Sequence, residues 1–164
     1  MSKRHLLFGV QSAGLLLVAG GCGTNYDPVH YLNSIKQITR TWTIDADLFG
    51  KMIRLEKDPA RLQADHRDLT NKINMLVVQS GKIKVPSGRE AQELWNAFQT
   101  YLKDQQRIVT GDFQELVAIK IGQTGDPDRF RTVLARCKEI EDADLARLHK
   151  AEAALELAHG FAPR

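Results

Sequence analysis

The residues best suited to chemistry are Asp45, His66, Gln105, Asp112 and Asp144, each at a spacing that continues an apolar stripe, and Cys137, which lies inside one. His, Cys and Asp are metal-ligand types. Along helices rising about 1.5 Å per residue and folding back at short links, Asp45, His66, Gln105 and Cys137 reach one level to within about 10 Å. Such a polar layer could hold a metal or a small ligand. It reads more simply as hydrogen-bonded groups that fix register in a helical bundle. On that simpler reading, replacing His66 by Leu is tolerated. A second set, His149, Glu152, Glu156 and His159, shares one helix face by spacing and reads as a solvated face.

Other chemistries lack their residues. Covalent haem attachment needs Cys-x-x-Cys-His, and no such run occurs. A di-iron bundle needs two Glu-x-x-His motifs, and only Glu156-Leu157-Ala158-His159 fits. There is no phosphate loop, zincin motif or nucleophile elbow. These observations imply no enzyme, no cofactor and no resident metal.

The elements that must position these groups are helices. Asp27-Pro28, Asp58-Pro59 and Asp126-Pro127 each pair a strong N-cap with a proline suited to the first helical turn. Ser87-Gly88-Arg89-Glu90 reads as a capping box. Four segments follow, at about Pro28 to Glu56, Pro59 to Ser80, Gly88 to Ile121 and Pro127 to His159. In the first, Ile35, Ile38, Trp42, Ala46, Phe49 and Ile53 recur every three or four residues. Its weakest stretch is Thr39 to Ile44, where β-branched residues could disturb the helix. The links are short, which makes sequential neighbours antiparallel. The fold class is all-α, an up-down-up-down antiparallel four-helix bundle over 28–164.

The segment before the first helix reads as an address. Lys3, Arg4 and His5 precede an apolar run from Leu6 to Val18, too short to span a bilayer comfortably. Leu17-Val18-Ala19-Gly20-Gly21-Cys22 then resembles the lipobox of bacterial prolipoproteins, with Ala19 where that class usually has Leu. The resemblance covers only this leader. It implies a cleaved signal peptide at 1–21, lipidation of Cys22, and a short tether at 22–27. The protein would then sit in the cell envelope, outside the cytoplasm. Its partners would be the lipid bilayer and another envelope protein. Cleavage would remove 21 of 164 residues, including Lys3 and Arg4, leaving 21 basic residues against 20 acidic. That balance, with export, excludes nucleic acid as a partner.

Only Gly23, Thr24, Asn25 and Tyr26 separate Cys22 from the cap at Asp27. Four extended residues span at most about 14 Å, so the start of the first helix stays near the lipid. The link Lys82, Ile83, Lys84 and Val85 and the tail residue Phe161 return to that end in this topology. They are the expected membrane-proximal contacts. Rival readings are a ligand-sensing or carrier bundle and a metal-binding bundle using His66 and Cys137.

Overall fold

The computed structural model describes residues 27–122 and 126–160. The leader, Cys22, the residues before Asp27 and Phe161 lie outside the described residues.

The described residues are helical throughout apart from short links and caps, in four rods. The first is α1 (Pro28–Leu55) and the second α2 (Pro59–Ser80). The third comprises α3 (Arg89–Arg107), a π-helical turn (Ile108–Phe113) and α4 (Gln114–Lys120). The fourth is α5 (Pro127–Ala158). None is long and apolar enough to cross a membrane.

The three Asp-Pro starts behave as their chemistry dictates. Asp27 accepts from the Val29 amide at 2.9 Å, Asp58 from Ala60 at 2.9 Å, and Asp126 from Asp128 at 2.9 Å and Arg129 at 3.0 Å. Each satisfies first-turn amides that have no partner within the helix. The expected capping box does not form. Gly88, not Ser87, takes the cap position, at φ 130°, and no side chain caps the helix. This backbone region is open to glycine and strained for other residues. Glu90 is instead drawn to Arg89.

The β-branched stretch does not interrupt α1. Thr39 is buried within it, and the Thr43 hydroxyl turns its polar atom to Tyr101 at 3.2 Å. Every member of the α1 stripe named above is buried. These side chains meet Leu62, Leu69 and Ile73 of α2, Leu94, Phe98 and Leu102 of α3, and Val133, Leu148 and Leu155 of α5 in one core. The most extensive pairing is α3 on α5.

Polar contacts record which levels meet. Lys72 reaches Asp45 at 3.1 Å, and Gln106 donates to Asn74 at 2.8 Å. Arg129 pairs with Glu115 at 2.5 Å, and Lys36 with Glu156 at 2.6 Å. Across the core, Tyr31 donates to the Ala91 carbonyl at 3.1 Å near the starts of α1 and α3. Lys120 donates to the Arg54 carbonyl at 2.9 Å near the ends of α1 and α4.

Candidate functional site

The π-turn is the one departure from regular helix inside the third rod. A π-turn carries one residue more than an α-turn, so the amide ladder slips and a carbonyl loses its usual partner. The Gln114 amide, just past the turn, bonds back to Gly111. The Val109 carbonyl is met from α2: the His66 Nε2 lies 2.8 Å away. A carbonyl only accepts, so Nε2 carries a proton and donates it. The half-buried ring packs on Phe49 with centroids 5.9 Å apart, and Phe49 packs on Phe113 of the π-turn at 5.2 Å. His66 therefore closes a helix distortion.

The π-turn also directs Asp112 inward, where it is buried. Arg136 of α5 pairs with it and reaches Glu115 at 3.6 Å. One Asp112 oxygen, Oδ2, and the Arg136 Nε stay buried without partners. Next along the chain, Cys137 is buried and free. Burial, reinforced by the Asp112 charge, pushes its thiol up to about 12, so it stays protonated and is a poor nucleophile or metal ligand.

Each residue of the expected polar layer is thus engaged separately. Asp45 is half-buried against Lys72 while Ala46 takes the inward position. Gln105 is buried and accepts from the Trp42 indole N–H at 2.9 Å. Its Nε2 finds no partner. His66 holds Val109, and Cys137 lies in the core. Among the described residues, no group of three or more His, Cys, Asp or Glu side chains is placed to hold a metal ion.

The fourth rod carries what the residue types hid. Asp144 is 2% exposed and bonds Arg147 at 2.8 Å through Oδ1, with Oδ2 unpartnered. Glu152, read from sequence as part of a solvated face, is buried, because that position lies on the inward side with Leu148 and Leu155. His149 is exposed, and Glu156 pairs with Lys36. Burial raises the carboxyls of Asp144, Glu152 and Glu141 above the usual range. For Asp144, Asp104 adds to the rise. Tyr101, near Glu141 and Asp144, and Tyr31 are fully buried, and burial raises both phenols. Both tyrosines escaped the stripe reading.

In the expected membrane-proximal link, Lys82 and Lys84 are exposed, while Ile83 and Val85 are half-buried against the core. A shallow groove beside His66, lined by Gln63, Arg67, Gln114 and Val117, opens to solvent. No side chain around it forms a nucleophile–base pair. No protein-family model, curated protein or solved structure matches this chain.

Proposed function

We propose that this chain is a non-enzymatic, lipid-anchored lipoprotein of the bacterial cell envelope. Its up-down-up-down antiparallel four-helix bundle acts outside the cytoplasm as a structural or protein-interaction module. The observation that carries this reading is the lipobox-type run ending at Cys22, separated by four residues from the Asp27 cap of α1. The alternating topology is supported by the contact levels: Asp45 with Lys72, Asn74 with Gln106, Glu115 with Arg129, and Lys36 with Glu156. In this topology the link bearing Lys82 and Lys84 lies at the tethered end, where its charges suit anionic headgroups.

The test is Cys22→Ser in the producing cell. The variant is expected to leave the membrane fraction or to accumulate as an uncleaved precursor without incorporated palmitate. Normal processing with unchanged membrane retention refutes the anchor.

A further inference from the structure

The outer face of α1 carries three exposed apolar residues where a surface helix is normally polar. Ile44, Leu48 and Leu55 are 52%, 51% and 78% exposed. At about 100° per residue they fall within roughly 40° of one another, and they extend over about 16 Å of helix. The core residues Trp42, Ala46, Phe49 and Ile53 occupy the opposite side. α1 therefore carries a second, narrower apolar stripe that the bundle does not use.

One flank of the outer stripe is cationic. Arg40, Lys51 and Arg54 are exposed, and among the described residues none has a carboxylate partner, unlike Lys36, Lys72 and Arg61 nearby. Asp47 is the only acidic residue among the exposed positions from Arg40 to Leu55. An apolar stripe with an unneutralised basic flank suits a helix that lies in an anionic interface. α1 is also the helix that leaves the tether.

We propose that α1 lies along the bilayer surface that holds the anchor. Ile44, Leu48 and Leu55 sit at the headgroup–acyl boundary, and Arg40, Lys51 and Arg54 meet the headgroup phosphates. This rests on the lipid-anchor reading and adds an orientation to it: the bundle reclines on its first helix. The exposed Lys82 and Lys84 meet the same surface at the tethered end.

Acylated mature protein with Leu48→Cys or Lys103→Cys, each carrying a nitroxide, tests this in vesicles of mixed phosphatidylcholine and phosphatidylglycerol. Both positions are exposed, and Lys103 lies on α3, across the core from α1. Cys137 is buried and is expected to take no label in the folded protein. The expected ratio of oxygen to aqueous-nickel accessibility is several-fold higher at Leu48 than at Lys103. Arg40→Glu with Arg54→Glu should lower the Leu48 ratio towards its value in phosphatidylcholine alone. Equal, fully aqueous labels on vesicle-bound protein overturn the reclining orientation and leave the anchor standing. Spin–spin coupling at Leu48 that persists in detergent means a second copy covers the stripe, which also overturns it. Failure of the protein to float with vesicles refutes the anchor itself.

Discussion

Replacing His66 by Leu separates a side chain that merely fills space from one that repairs the π-turn. The sequence alone offers His66 no essential partner and makes the change harmless. The hydrogen bond to Val109 reverses that expectation. Leu keeps an apolar contact with Phe49 and adds about 0.5 kcal/mol from apolar burial at a half-buried site. It also removes the hydrogen bond to the Val109 carbonyl, at a cost of about 1–2 kcal/mol. The net loss is about 1 kcal/mol, or about 4 °C in Tm for a domain of this size. A second background sharpens the test. Removing the exposed Gly111 takes out the extra residue of the turn and returns the Val109 carbonyl to an α-helical amide. There His66→Leu should be neutral or slightly stabilising. Urea unfolding of the four proteins gives the coupling directly, provided the m-values agree. A coupling of about 1–2 kcal/mol is expected. Equal losses in both backgrounds would show that His66 does not serve the π-turn.

The buried acids set a pH dependence with a definite sign. Asp144, Glu141 and Glu152 bind protons more tightly folded than unfolded, so Tm should rise as pH falls from neutrality through their raised values. It should then fall once Glu56 and Glu115 protonate, since their lowered carboxyls favour the fold only when charged. Glu152→Gln should raise the neutral-pH Tm and flatten the climb; a steeper climb in a calorimetric series would contradict the assignment. Trp42→Phe and Gln105→Leu should each cost about 2 kcal/mol by stranding one buried partner. The double variant should cost at least about 0.5 kcal/mol less than the sum, and strict additivity in urea would sink the pair. Cys137 should resist a thiol reagent in the folded protein and react at the rate of unfolding. Immediate reaction would place it at the surface.

The helices were legible because their signals are local. An Asp that caps and a Pro that needs no amide partner act within four residues, and the α1 stripe from Ile35 to Ile53 keeps one period throughout. Ser87 and Glu90 stand in capping-box order in the sequence, while Gly88 between them holds the backbone that ends the link. The π-turn was not legible for a geometric reason. The inward series Leu102, Gln105, Val109, Phe113 and Leu116 steps by three, four, four and three, and an ordinary helix permits that sequence of steps. One extra residue therefore leaves no gap in the apolar pattern. Glu152 was assigned by its charge, although its spacing to Leu148 and Leu155 put it inside. Spacing was the better guide than residue type on α5.

The polar groups of the interior give this bundle its register. Apolar contacts alone are poor at this, because a helix slid by one turn presents a similar stripe to its neighbour. Here Trp42 must meet Gln105, Thr43 must meet Tyr101, His66 must meet Val109, and Arg136 must meet Asp112. These contacts join α1 to α3, α2 to the π-turn, and the π-turn to α5. A one-turn slip of any rod, about 5.4 Å, would break at least one and leave its partners buried without hydrogen bonds. Each such orphan costs about 1–3 kcal/mol, enough to separate the native register from its nearest alternatives. The unpartnered Oδ2 atoms of Asp112 and Asp144 mark what that specificity costs in stability. The π-turn belongs to the same device. By presenting the Val109 carbonyl to His66 and Asp112 to Arg136, it lets one rod be read by two neighbours at a single level.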